Sequence, residues 1–381
     1  MSVKPTLLKR VLFRLHWLAG ITAGLVLGVV GFTGGLMGME EPVLALLNAR
    51  VHAQADGQAA LAPDRWIAAA RAAYPQQSVR SVAWDGADAA VRVRVAGEGA
   101  RGFEVAVDPY TAEVLGVPRG SAFFATVEQI HRNLAVGPVG KQIVGASTIS
   151  MLVFIATGIY LRWPRRARSP SAWLRMNTRA NGRGFWWQLH AVVGTWLLVF
   201  YFVAAATGLW WSYDVYRNAV NRIAGVSPAP RRPPAGEAKT PVASLDAAWG
   251  TFLRQVPEAT RASAALAPGA DGAIEIRYQT PASPHDRAWN SIKVDPADAT
   301  IVARETYAEL PRGRRFVASL FPLHSGSFWG TPGRLLMALS ALLMPLFPLT
   351  GLWMWRLRRR NEALRRQHAA ALSAPLDVRT A

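Results

Sequence analysis

Four strongly apolar stretches without Asp, Glu, Lys or Arg punctuate the chain, at residues 15–39, 142–161, 184–213 and 335–355. Each meets the roughly 20 residues that a helix needs to cross a hydrocarbon core of about 30 Å. The pattern predicts an integral membrane, α-helical protein with four transmembrane helices and no broken span. The first stretch is too long for a cleaved leader, carries His16 and is followed by no clean small-x-small site, so it reads as a retained helix. Between the spans the period shortens. Residues 66–74 read as a helix, 91–95 alternate as a strand, and 103–115 read as strand, Asp-Pro turn and strand. After the third span, residues 245–252 read as a helix, 274–278 as a strand, and 289–302 as a hairpin about Asp295 and Pro296. Each segment is expected to form a small α+β module, and the Pro- and Arg-containing residues 227–241 a linker. The predicted division is terminus and first helix 1–39, module 40–138, helix 139–163, basic loop 164–183, helix 184–213, module 214–330, helix 331–355 and basic tail 356–381.

The pattern also repeats. His16 is followed by Gly20 and by Thr33-Gly34, and His190 by Gly194 and by Thr207-Gly208, at one offset of 174. His131 precedes Gly137, Gly140, Lys141 and Thr157-Gly158, and His324 precedes Gly330, Gly333, Arg334 and Thr350-Gly351, at one offset of 193. Each half is thus helix, module, helix, and the two tandem halves share one orientation, as expected of parallel repeats.

Charge fixes the expected topology. Of the formal +19, most sits in three runs: Lys4, Lys9, Arg10 and Arg14; Arg162, Arg165, Arg166, Arg168, Arg175, Arg179 and Arg183; and Arg356, Arg358, Arg359, Arg360, Arg365 and Arg366, opposed only by Glu362. All flank membrane ends on one side, the positive-inside pattern. Both termini are therefore expected in the cytoplasm and both modules in the periplasm. Nucleic acid loses its motive as a partner, because the large outer segments are close to neutral. There are no cysteines, which excludes iron–sulfur clusters, thiolate zinc sites, disulfides and covalently attached c-type haem.

Two His-bearing helix pairs, each enclosing a module with an Asp-Pro hairpin (Asp108 to Leu115 reads D-P-x-T-x-E-V-L), resemble the PepSY-associated transmembrane family, which includes bacterial ferric-siderophore reductases of the FoxB type. The resemblance covers the chain from about Leu12 to Arg360. The second module departs from it, with Asp298 and Thr300 in place of Thr111 and Glu113. The resemblance implies two PepSY-like periplasmic modules and a haem-dependent oxidoreductase acting on iron chelates in the periplasm.

Ionisable side chains near a membrane core are candidate functional groups, although a lone histidine on an apolar helix is commonly a packing residue. Here four stand at repeat-equivalent places. His16 and His190 enter from the basic side, and His131 and His324 stand before the outer ends of the second and fourth spans. Bis-imidazole ligation needs two facing neutral histidines, which a twofold repeat supplies, so two b-type haems are expected, with His16 and His190 as axial iron ligands of one and His131 and His324 of the other. Pro138 and Pro332 separate the outer pair from the apolar runs. The repeated Gly20, Gly194, Gly34 and Gly208 suit either close approach of a macrocycle or close helix packing. Arg14, Arg132 and Arg334 are candidate haem-propionate partners. His52, His285 and His368 lack repeat partners and read as solvated. The Trp and Tyr clusters at 186–187, 210–213 and 353–355 read as interfacial anchors.

The expected activity is electron transfer in the bacterial inner membrane from quinol or a cytoplasmic reductase, through the inner and then the outer haem, to an oxidised periplasmic substrate; the resemblance implies Fe(III) held by a siderophore, hydroxamate chelates among the candidates, with release of Fe(II). No G-x-G-x-x-G opens a βαβ unit, so the donor is another molecule. A chelate transporter and a membrane-anchored binding or regulatory protein are the alternatives. The first is disfavoured by the absence of an intramembrane carboxylate or broken helix, and the second leaves the matched histidines unexplained.

Overall fold

The computed structural model describes residues 6–48, 59–97, 102–164, 166–227, 244–267, 269 and 272–372. Lys4, His52, Arg165 and most of the expected 227–241 linker lie outside the described residues. The elements in chain order are α1 (Leu7–Gly38), α2 (Glu40–Leu47), α3 (Pro63–Ala73), β1 (Val79–Trp84), β2 (Val91–Val95), β3 (Phe103–Val107), β4 (Val114–Gly116) and α4 (Ser121–Asn133). Then follow α5 (Gly137–Arg162), α6 (Pro170–Leu174), α7 (Gly182–Ser212), α8 (Asp214–Ile223), α9 (Asp246–Gln255), β5 (Arg261–Ala265) and β6 (Ile274–Gln279). The chain ends with β7 (Asn290–Val294), β8 (Ile301–Glu305), α10 (Arg312–Ser325), α11 (Gly330–Leu342) and α12 (Leu346–Leu372). They form two units: one of residues 1–38, 126–216 and 335–381, the other of residues 39–125 and 217–334.

The first unit is a helical bundle. Among the described residues, four helical segments are long and apolar enough to cross a membrane: α1, α5, α7 and the fourth segment, Ser327–Ala369. Packing runs in a ring, α1 on α5, α5 on α7, α7 on α12 and α12 back on α1. Leu27, Tyr201 and Met344 are buried at its centre with Met151, Phe154 and Phe347 against them. Leu25, Phe32, Val153, Val199, Phe202 and Leu349 point outward, as expected of a surface solvated by lipid.

The fourth span is broken, contrary to expectation. Residues 343–345 form a turn between α11 and α12, because Pro345 has no N–H to give and its ring cannot sit against the carbonyl four residues back. Hydrogen bonds of three-residue span bridge the gap, from Met344 N to Ala341 O and from Phe347 N to Met344 O, at 3.1 and 3.2 Å. The break is packed against α1. One face of α1, Gly24, Gly28, Gly31, Gly35 and Gly38, lies against Pro348, Pro345, Met344, Leu342 and Ala338 in turn, so closely that a Cβ on Gly35 would come 2.6 Å from Leu342 Cγ. Small residues let the two backbones approach and pack the irregular segment.

In the second unit the strands of the two predicted modules, β1–β4 and β5–β8, join. Its strands form one antiparallel sheet of eight, in the order β4-β3-β2-β1-β5-β6-β7-β8. The seam is β1 with β5, pairing Ser81 with Ala265, Val82 with Ala264, Ala83 with Ser263 and Trp84 with Ala262. Alternation along the strands sends Val82, Val91, Val93, Val95, Val105, Ala264, Ile274, Ile276, Ile292 and Val294 to one face, where α3 and α9 cover them. Trp66 of α3 and Trp249 of α9 meet edge to face, with ring centres 6.1 Å apart. The helix starts interlock as well: Leu245 N–H donates to Asp64 Oδ1 at 3.0 Å, and Asp64 N–H donates to Asp246 Oδ1 at 2.9 Å.

Both Asp-Pro hairpins have one geometry. Asp108 Oδ1 accepts from Tyr110 and Thr111 N–H at 2.8 and 3.0 Å, and Asp295 Oδ1 accepts from Ala297 N–H at 2.8 Å. Ala112 and Ala299 both adopt left-handed backbone, at φ 59° and 58°. The Asp carboxylates are thus spent on shaping the turn, the usual work of Asp in such a place.

Candidate functional site

Of the four predicted ligands, His16 and His190 are brought together inside the helical unit. Their ring centres lie 6.4 Å apart with planes inclined at 65°. His16 comes from α1 and His190 from α7, which are diagonal in the ring, so each side chain reaches the bundle axis between its neighbours. The surroundings of the two are equivalent. His16 Nδ1 is 2.8 Å from Thr157 Oγ1 of α5, and His190 Nδ1 is 2.8 Å from Thr350 Oγ1 of α12. Phe154 stands edge-on to His16 at 5.3 Å, and Phe347 to His190 at 5.2 Å. Thr157 and Thr350, like Phe154 and Phe347, are separated by the same offset of 193 that relates the outer histidines. The sequence showed the Thr repeat but gave those residues no role. Nδ1 is thus engaged on both rings, and His190 also hydrogen-bonds the Phe347 backbone carbonyl.

Aromatic pairs gather at the same end of the bundle: Trp17 with Trp355 at 6.1 Å and Trp186 with Trp353 at 5.8 Å. The Arg162 guanidinium donates there to the Ala191 and Trp173 carbonyls and to Thr195 Oγ1, tying the end of α5 to α6 and α7.

His131 occupies the last turn of α4, separated from α5 by a turn with Leu134 and Ala135 in left-handed conformation at φ 53° and 58°. Its Nδ1 donates to Val30 O of α1 at 2.8 Å. A Cβ at Gly34 would stand 2.8 Å from His131 Cε1, so this glycine makes room for the imidazole. Gly194 is packed on Phe347, whereas a Cβ at Gly20 would meet nothing within 4 Å. His324 stands in the last turn of α10, which belongs to the sheet unit. Of the expected propionate partners, Arg132 pairs with Glu128 at 2.9 Å and Arg334 with Glu41. Arg14 and His368 are exposed.

His285 is not solvated, contrary to expectation. It is only 7% exposed. Its Nδ1 accepts from Arg287 N–H at 3.2 Å, and its Nε2 reaches Tyr307 Oη at 3.0 Å and Ser319 Oγ at 3.2 Å. Burial pushes its pKa below the ordinary histidine value, against the opposing charge of Asp286. This neutral ring ties the β6–β7 connection to α10, a structural role.

The model of the family described as the PepSY-associated TM region matches residues 13–358. The chain belongs to this family. The match extends over most of the four spans and all eight strands, so this is a PepSY-TM membrane protein. No curated protein matches the chain.

Proposed function

We propose that this PepSY-TM protein is a di-haem b electron-transfer protein of the bacterial inner membrane, with termini in the cytoplasm, that reduces Fe(III) held by a periplasmic siderophore and releases Fe(II). The observation that carries the reading is the His16 and His190 pair. An iron about 2 Å from one nitrogen of each of two imidazoles, with about 1 Å more from nitrogen to ring centre, puts the ring centres roughly 6 Å apart. The observed 6.4 Å fits. The donor set fits too, since both rings are imidazoles held through Nδ1 by a threonine of the neighbouring helix. A second haem, at His131 and His324, is proposed from their repeat-equivalent places in the sequence alone, and His131 also has its Nδ1 engaged.

Bound haem would supply a one-electron Fe(III)/Fe(II) couple at each place. The chain's own residues hold the imidazoles in orientation: Thr157 and Thr350 through Nδ1, with Phe154 and Phe347 edge-on to the rings. One electron is needed for each chelated Fe(III), delivered from quinol or a cytoplasmic reductase. A transporter or a purely recognitive protein would leave the equivalent His–Thr pairs in the bundle without a purpose. Purified protein made with ample haem supply should show reduced b-type bands with dithionite. Adding a ferric hydroxamate chelate should then reoxidise them, with Fe(II) trapped by a ferrous-specific chelator. Colourless protein ends the electron-transfer reading. Haem that stays reduced with every ferric chelate ends the siderophore assignment alone.

A further inference from the structure

The hydroxyls that touch His16 and His190 are not free to donate to them. Thr157 Oγ1 lies 2.7 Å from Val153 O, and Thr350 Oγ1 lies 2.7 Å from Leu346 O, each four residues back on its own helix. A carbonyl can only accept, and a threonine hydroxyl has one proton. That proton is committed to the carbonyl, so toward Nδ1 each Thr oxygen acts as acceptor and the imidazole donates. Both Thr side chains are buried, at 8% and 1% exposure, which leaves little room for competing water. The same arrangement occurs twice, at repeat-equivalent positions.

We propose that Thr157 and Thr350 are positioning residues that hold His16 and His190 in the Nδ1–H tautomer, present each Nε2 lone pair to iron, and through those two hydrogen bonds set the reduction potential of that centre. This rests on the reading of His16 and His190 as haem ligands. A hydroxyl already donating to a carbonyl is a better acceptor than an isolated one. Its pull on Nδ1–H enriches the imidazole in electron density and favours the oxidised metal, the usual effect of a partner behind a ligating histidine. His131 instead donates to a backbone carbonyl, Val30 O, which no side-chain change removes. Dependence on a threonine should therefore be confined to one of the two centres.

The test uses full-length protein with Thr157→Val, Thr350→Val and Thr157→Ser, read by optical redox titration, low-temperature electron paramagnetic resonance and the haem-to-protein ratio. Valine keeps the shape and removes the acceptor, whereas serine restores it. The expected result is an upward shift in the potential of one haem and an altered low-spin signal for the same haem in both Val variants. The other haem should be unchanged, and Thr157→Ser should resemble wild type. Selective loss of that one haem in a Val variant, with serine retaining it, supports the same assignment. Haem-replete Val variants that match wild type in potential and resonance overturn the inference while leaving the haem reading intact, as does equal disturbance by valine and serine. A wild type without haem overturns both.

Discussion

Replacing Gly31 by Ala tests the packing of α1 against the broken fourth span. A Cβ at this position would come 2.9 Å from Ala341 O and 2.8 Å from Met344 Cγ, and closer still to Met344 Cβ. The carbonyl is backbone at the broken turn and cannot rotate away. Overfilling a packed contact costs about 1–3 kcal/mol, and a backbone obstacle places this case at the upper end. Against it stands a gain of roughly 1 kcal/mol from helix propensity. The net expectation is a loss of about 2 kcal/mol. Gly20→Ala is the matched control on the same helix, because its Cβ would meet nothing within 4 Å, so only the propensity gain of about 1 kcal/mol applies. The two variants should differ by roughly 3 kcal/mol when detergent-solubilised protein is unfolded with denaturant and followed by Trp fluorescence. The reasoning fails if Gly31→Ala is as stable as Gly20→Ala.

Two further outcomes concern the sheet unit. Asp64→Ala and Asp246→Ala should each cost about 1 kcal/mol, and because the two carboxylates serve one interlocked start of α3 and α9, the double variant should depart from additivity by about 0.5 kcal/mol or more. Simple additivity in a double-mutant cycle would show that the interlock carries no coupling. The neutral His285 should make stability pH-dependent. Its folded pKa is depressed below the ordinary value of 6.5, so its contribution is complete above that pH and is lost as pH falls through the folded value. Wild type should melt lower at acid pH, and His285→Gln should melt lower at neutral pH with a smaller acid-induced drop. An unchanged pH slope in that variant would remove His285 as the cause.

The four spans were legible because apolar runs near 20 residues have few other readings, and β2, β3, β6 and β7 because they alternate strictly. The seam was not. β1 reads V-R-S-V-A-W with an irregularity between Val79 and Ser81, and β5 reads R-A-S-A-A. Neither carries the β-branched alternation that marks a strand, and their mutual pairing has no local signature at so large a separation, so the joining of the two halves into one sheet was not legible. Pro345 and Pro348 were in view, but an apolar composition does not distinguish a straight span from a broken one packed against glycines. His285 sits in a Ser-Pro-His-Asp stretch that looks like an exposed turn. Its burial comes from Tyr307 and Ser319, residues that the local pattern cannot bring near. His16 and His190 were legible through the repeat, whereas the roles of Thr157 and Thr350 needed the crossed geometry in which each histidine of one helix meets the threonine of the next.

The most direct measurement is the haem content and reduced optical spectrum of wild type beside His16→Ala and His190→Ala, each checked for native folding. Because His16 and His190 are held as one pair 6.4 Å apart, wild type should carry two low-spin b-type haems per chain, and each single variant should lose, or convert to high spin, the same one of them. Colourless wild-type protein, or single variants that disturb different haems, would contradict the assignment of this pair to a shared iron.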